Sequence, residues 1–333
     1  RITFKKNPDY WGKNLNVKKG LDNFATISVD YFRDGTAQFE AFKKGLFDIY
    51  PESDPVKWEK AYDFAAVQDG RVKQETFVTG TPAAMYGFFF NTRRNVFADR
   101  NVRMALAMLF DFEWTNKNLF ANQYSRTGSF WQNSELSALG VPASAGEAAL
   151  LTPFVAKVDP QVMTGTWKPA ATDGSGRDRD VMKQAVSLLS SAGFAITDRK
   201  MTGAGGKPLA FEILCANGAE EKLALVFQRT LAKVGIAAEV RTVDDAQYQQ
   251  RRQTWDYDML LASLSASLSP GIEQTGRWGS SSRDADGTFN YAGVAEPAID
   301  AMIEAIGKAT TRAEFVDAVR ALDRLLISGQ YVI

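Results

Sequence analysis

Histidine is absent from the 333 residues, and cysteine occurs once, at Cys215. Without histidine the usual Ser-His-Asp and Cys-His catalytic sets are excluded, and so is every histidine-ligated metal site. One cysteine excludes an intrachain disulfide. Inside the apolar run 209–215 it reads as a small core residue rather than a nucleophile, and it leaves the redox compartment open. Neither charge is in excess: 39 Lys and Arg face 39 Asp and Glu, for a net charge of zero. Nucleic-acid binders usually carry a basic surplus, so no nucleic-acid partner is expected. No apolar run reaches the roughly 20 residues that span a bilayer, and no signal-peptide pattern opens the chain. Internal repeats and low-complexity tracts are missing too.

What is present is a large apolar fraction, 45%. A chain of this length can bury roughly three quarters of its unfolded surface, as about two domains or one large one. It opens in mid-strand pattern at Arg1-Ile2-Thr3-Phe4 and closes on Tyr331-Val332-Ile333, which reads as the opening of a strand. The chain is therefore expected to be a fragment, and the missing targeting signal carries no weight.

The organising stretch runs from Met85 to Asn133. An aromatic strand, Tyr86 to Phe90, stops at Asn91-Thr92. A basic turn, Arg93-Arg94, then leads to an amphipathic helix behind Asp99 and to an aromatic, Asn-rich loop. Before it, Ile27 to Phe32, a helix behind Asp34 or Thr36 closed by Gly45, and Phe47 to Tyr50 read as strand, helix, strand. Pro55 to Ala66 reads as a helix and Phe77 to Gly80 as a strand. Residues 134–170 carry four prolines and are expected to form a short helix and an extended wrap. Asp178 starts a helix that Gly193 ends. Strand 209–215, helix 219–234 and strand 236–243 form a second βαβ unit with parallel strands. A polar helix, 245–254, strand 257–262, a Ser-rich loop, 263–278, and helices 297–306 and 312–327 complete the chain. The sum is an α/β lobe with a mixed sheet and helices on both faces.

Several of these segments resemble a known family. Asn91-Thr92-Arg93-Arg94, Phe97-Ala98-Asp99, Val102-Arg103-Met104-Ala105-Leu106 and Asp111-Phe112-Glu113-Trp114 are similar to the signature of the family 5 extracellular solute-binding proteins, the receptors of oligopeptide, dipeptide and nickel ABC importers. Leu119-Phe120, Tyr124, Arg126-Thr127, Ser129-Phe130, Asn133-Ser134-Glu135-Leu136, Pro270-Gly271, Arg277-Trp278-Gly279-Ser280, Asn290-Tyr291-Ala292-Gly293 and Ala321-Leu322-Asp323-Arg324 resemble its Yej-type branch. The resemblance implies a type II periplasmic-binding-protein lobe of cluster C. Residues 1–26 would be a remnant of the first lobe and the crossing segment, and 27–333 the second lobe. It also implies a periplasmic, monomeric, non-enzymatic receptor with a signal peptide at full length. That receptor would capture oligopeptides or murein-derived peptides and pass them to an inner-membrane ABC permease, without cofactor or metal.

Capture of this kind needs backbone partners, room for side chains, and charged groups for the ligand termini. Aromatic walls suit variable side chains. The residues expected to supply contacts are Asn91 and Thr92 at the strand end, then Tyr124, Arg126, Ser129, Phe130 and Trp131. Arg126 suits a bidentate bond to a ligand carboxylate; a salt bridge within the lobe would suit it as well. Ser265, Ser267 and Ser269 alternate with apolar residues and so share a face, and Arg277 and Trp278 follow. In oligopeptide receptors of the family, an Asp in the matching loop holds the ligand amine. Here Ser265 to Pro270 contains no acid, which implies a ligand held differently. The alternative class is a hydrolase of peptides or glycans built on Asp111 and Glu113 or on Asp256 and Asp258. On a helix, residues two apart do not face each other, and the missing nucleophile pairs weigh against it. Asp284-Ala285-Asp286-Gly287 has the start of a calcium loop but not its bidentate acid.

Overall fold

Strand β1 (Ile2–Lys5) pairs antiparallel with β2 (Thr26–Val29) in the computed structural model, which describes residues 1–333. The chain divides into two compact units, Arg1–Thr76 and Phe77–Ile333. The expected boundary after residue 26 falls inside β2, whereas the observed division comes fifty residues later.

In the first unit Asp34 caps α1 (Gly35–Lys43), its carboxylate accepting from the Ala37 amide. Lys44 ends the helix and Gly45 turns the chain at φ +69°, a conformation open to glycine at little cost. α2 (Pro55–Lys60) and α3 (Ala65–Gln68) follow. Phe39 and Phe42 on α1 are buried against Tyr50, Tyr62 and Phe64, with ring centroids 5.3–6.5 Å apart. Two expectations fail here. Residues 47–50 form no strand, because Phe47 and Tyr50 turn their rings onto Phe42 instead. The first βαβ unit is therefore a hairpin followed by helices. The helix expected over 55–66 breaks at 61–64, where Tyr62 bonds to Glu52.

The second unit starts without the strand expected at 77–80; Phe77 and Val78 are exposed. Its elements are β3 (Met85–Phe90), α4 (Arg100–Leu109), α5 (Phe112–Leu119), α6 (Ala145–Leu151), α7 (Pro160–Thr164), α8 (Arg179–Ser191), a small hairpin of β4 (Ala195–Thr197) and β5 (Lys200–Thr202), β6 (Ala210–Cys215), α9 (Gly218–Lys233), β7 (Ala237–Thr242), α10 (Asp245–Gln253), β8 (Met259–Leu264), α11 (Thr275–Trp278), α12 (Pro297–Lys308) and α13 (Arg312–Gly329). Side-chain caps start most of the longer helices: Asp99, Asp111, Asp178, Asn217, Asp244 and Thr311 each accept a backbone N–H of the first turn. Ser144 and Thr311 complete capping boxes with Glu147 and Glu314.

The main sheet has the order β3-β8-β6-β7. β6 is parallel to β7 and β8, and β3 is antiparallel to β8. Successive side chains of a strand point to opposite faces, and β3 shows why its run is so apolar. Phe88 and Phe90 join the core formed with α4, α8 and α9, while Met85 and Phe89 join the other, with α12 and α13. A fully buried Phe stabilises by about 1.5–3 kcal/mol, so this one strand anchors both layers. The mixed sheet flanked by helices is the architecture expected. Residues 331–333 extend it at the outer edge of β3: Phe88 and Ile333 exchange bonds of 3.0 and 2.9 Å. Gly87 permits that approach, since a Cβ there would overlap the Ile333 carbonyl. No helix is long and apolar enough to cross a membrane.

The irregular wrap 121–170 is pinned to α13 by two adjacent, fully buried charges. Asp323 accepts from the Ser129 hydroxyl (2.7 Å), the Phe130 amide (2.9 Å) and the Ala138 amide (2.8 Å). Arg324 pairs with buried Glu147 at 2.5 Å and donates to the Val141 and Val162 carbonyls.

Candidate functional site

The parallel strands β6, β7 and β8 end at Cys215, Thr242 and Leu264. β7 lies on one side of β6 and β8 on the other, so the strand order reverses between β6 and β8. In open α/β sheets, ligands bind in the crevice outside the carboxyl ends of the strands at such a point. Three stretches border it: the Ser-rich loop after β8, the start of β3, and the turn from Cys215 into α9.

The loop keeps its alternation at first. Ser263, Ser265 and Ser267 are exposed and Leu264 is buried; the pattern ends at Leu268, which is 40% exposed. The Ser267 hydroxyl accepts from the Ser269 amide (3.2 Å), and Arg277 donates to the Ser265 carbonyl (2.7 Å). This hydrogen bond ties the loop to α11 while Ser265 itself faces outward. Across the strand pair, Tyr86 stands opposite Ser263 and is half exposed. Desolvation, with the charge of Glu220 adding to it, pushes its phenol up to about 12. Tyr86 therefore stays a neutral O–H donor beside a row of hydroxyls. At the third stretch Asn217 caps α9, and Glu220 reaches back to the Ala216 amide (2.7 Å). Burial raises the Glu220 carboxyl above its ordinary value, against those bonds. Cys215, buried behind this turn, has its thiol pushed up to about 12 by desolvation.

The expected contact residues separate into two sets. Ser265, Ser267 and Ser269 are exposed on the loop, Arg277 is part-exposed beside it, and Tyr124 is 45% exposed in its own loop against Phe120. The others turn inward. Asn91 is fully buried: its amide donates to the Trp255 carbonyl (3.1 Å) and the Tyr257 carbonyl (2.8 Å), and its Oδ1 accepts from Arg93 (3.0 Å). The Thr92 hydroxyl lies 2.7 Å from the Ala292 carbonyl and 3.0 Å from that of Gly293. Both residues clamp the end of β3 to neighbouring segments, so the reading of their side chains as ligand contacts is corrected. The same holds for Ser129, bound to Asp323, and for Trp131 and Trp278, each only 2% exposed. Arg126 donates to the Ala107 (2.9 Å) and Ala170 carbonyls, within the unit rather than toward an external carboxylate. Arg126 and buried Phe130 both border a cavity of about 320 Å3 that also touches Met85 and residues 330–333. Phe130 meets Trp278 edge-on at 4.9 Å.

The acidic pairs have structural roles. Asp111 caps α5 outside the helix proper, so the helical spacing argument does not apply to it. Asp111 and Glu113 both reach the Thr172 hydroxyl, at 2.5 and 2.8 Å. Arg94 bridges Asp256 and Asp258 at 3.2 and 3.3 Å. Arg93 stacks on Trp255 at 4.2 Å and pairs with Asp284. Tyr86, half exposed at this edge, is not among the contacts expected from sequence. Its signal was a single hydroxyl in the otherwise apolar Met85-Tyr86-Gly87-Phe88-Phe89-Phe90.

Comparison with known proteins places this mixed α/β architecture in a family. The chain belongs to the bacterial extracellular solute-binding proteins, family 5, whose model matches residues 1–286. It is 59% identical over 333 residues to a chain of Brucella melitensis that bears only a provisional binding-protein name, covering 100% of this chain and 54% of that one. It is 49% identical over 340 residues to the peptidoglycan-binding protein YepA of Agrobacterium fabrum, covering 100% and 55%. The chain thus spans about half the length of the curated relatives it matches. Among solved structures it is similar to DppA from Helicobacter pylori in complex with the peptide STSA, with a TM-score of 0.69 at 14% identity, covering 100% and 54%. That likeness establishes the fold, a type II periplasmic-binding-protein lobe.

Proposed function

We propose that the full-length protein is the non-enzymatic, monomeric receptor of an ABC importer. It works in the periplasm, captures oligopeptides or murein-derived peptides, and delivers them to an inner-membrane permease. The observation that carries this reading is the carboxyl end of the sheet. Ser263, Ser265 and Ser267 and the neutral phenol of Tyr86 line it with hydrogen-bonding groups, as suits the backbone of a peptide. Family membership and the ligands of similar proteins, peptidoglycan for YepA and the peptide STSA for DppA, support the same chemistry. In this reading residues 77–333 supply one ligand-binding face of the full-length receptor, which closes on its ligand by hinge motion. Ser265, Ser267, Ser269, Arg277 and Tyr124 remain the proposed contacts, joined by Tyr86.

The test is calorimetry of the full-length protein against defined oligopeptides and muropeptides, with native mass spectrometry of the purified complex. Saturable heat and an intact bound peptide are expected. No heat with either pool, or steady turnover of a labelled peptide, overturns the proposal.

A further inference from the structure

Away from the carboxyl end of the sheet, a second depression of about 200 Å3 lies between the loop 173–177 and the C-terminal half of α9. Its rim carries Arg177 from the loop and Arg229 and Lys233 from the helix, with the Trp114 indole beside them. Lys233 donates to the Gly176 carbonyl and holds the loop against the helix. Gly176 sits at φ +69°, and a Cβ on it would come 3.4 Å from the indole, so the loop is packed rather than loose. Arg177 and Arg229 are exposed and form no ion pair or side-chain hydrogen bond with the chain, whereas most other arginines do.

The one carboxylate lining the depression is Asp111, and both its oxygens are engaged. Oδ1 accepts from the Trp114 amide (2.9 Å) and lies 2.5 Å from the Thr172 hydroxyl, and Oδ2 accepts from the Gly176 amide (2.8 Å). Basic residues near the end of α9 are partly explained by the negative end of a helix dipole. That account covers Lys233, the one basic residue in the last turn. It does not cover Arg177, which reaches the same depression from another segment. Two guanidinium groups and an ammonium thus line a small cavity whose one carboxylate has both oxygens hydrogen-bonded.

We propose that this depression binds a compact oxyanion of charge two or more, a phosphoryl group or a polycarboxylate. The guanidiniums of Arg177 and Arg229 supply paired N–H donors in the geometry that suits both groups. The site is independent of the peptide cleft.

The test uses the full-length protein without peptide. Pyrophosphate and citrate are titrated separately at low ionic strength, with Trp114 fluorescence and calorimetry as readouts, against the double variant Arg177→Gln/Arg229→Gln. Both side chains are exposed, so the double variant is expected to fold as the parent does; its melting temperature and peptide binding check this. One saturable site, weakened at least about tenfold in the double variant (about 1.4 kcal/mol) and weakened by salt, supports the proposal. Pyrophosphate binding without citrate identifies a phosphoryl site, and the reverse a polycarboxylate site. Absence of saturation by both anions, or equal binding by the variant, overturns it.

Discussion

Replacing Asp323 with alanine tests whether the buried carboxylate is what holds the wrap 128–138, and with it Phe130, in place. The substitution leaves two buried amides, of Phe130 and Ala138, without an acceptor. Each such loss costs about 1–3 kcal/mol, and the Ser129 hydroxyl is free to turn. Against this, burial pushes the Asp323 carboxyl up to about 6 from its ordinary 3.8, in spite of three donated bonds and neighbouring Arg324. The folded state therefore binds the proton more tightly than the unfolded state does. This contribution to stability is fully present below about pH 4 and declines as pH rises to about 6, by roughly 3 kcal/mol. At pH 7 the wild type holds a charge that the variant does not. Taking about 5 kcal/mol for the lost acceptors and the small void at low pH, the expected cost falls to about 2 kcal/mol at pH 7. Urea unfolding followed by tryptophan fluorescence, at pH 4.5 to 7 as a rough span, measures the difference at each pH. A cost below about 1 kcal/mol at every pH, or one that does not shrink as pH rises, refutes the reasoning.

Breaking the Arg324–Glu147 pair with Arg324→Met should cost about 3–5 kcal/mol, because buried Glu147 loses its close partner and keeps only Arg320 at 3.9 Å; the double variant with Glu147→Gln should recover part of this in chemical denaturation. Asn91→Ala is expected to lose about 1–3 kcal/mol of stability by leaving the Trp255 carbonyl unpaired and the Tyr257 carbonyl with only the longer bond from Arg94 (3.3 Å), with an unchanged peptide Kd in the protein that remains folded. Tyr86→Phe and Ser265→Ala should do the opposite, each weakening peptide binding by about 0.5–1.5 kcal/mol with little change in Tm; an unchanged Kd in both removes the hydroxyl wall from the site. Cys215 should resist thiol reagents until the protein unfolds, since it is fully buried and its thiol is raised to about 12; labelling at the rate of a free thiol in native buffer would contradict its placement.

Local chemistry made much of the second unit legible from the chain alone. Strands β3, β6 and β8 are short, mostly apolar runs between turn signals, and Asp99 and Asp178 announce their helices because a side-chain oxygen satisfies a free N–H within three residues. The family signature is equally local, and it carried the fold class. What the sequence did not disclose depends on partners far along the chain. Asn91, Thr92 and Ser129 look like loop residues open to a ligand, yet their partners lie 164 to 201 residues away. Whether a polar side chain faces solvent or a buried carbonyl is decided by packing, and no short window contains that information. For the same reason Phe47 to Tyr50 has strand composition but stacks on α1, and Tyr86 stands beside the serine row only because β8 pairs with β3 in register. The sequence by itself determined most helices and strands of the second unit and the family to which the chain belongs. Tertiary structure alone decided which hydroxyls are left to meet a guest, because burial and long-range hydrogen bonding claim the others first.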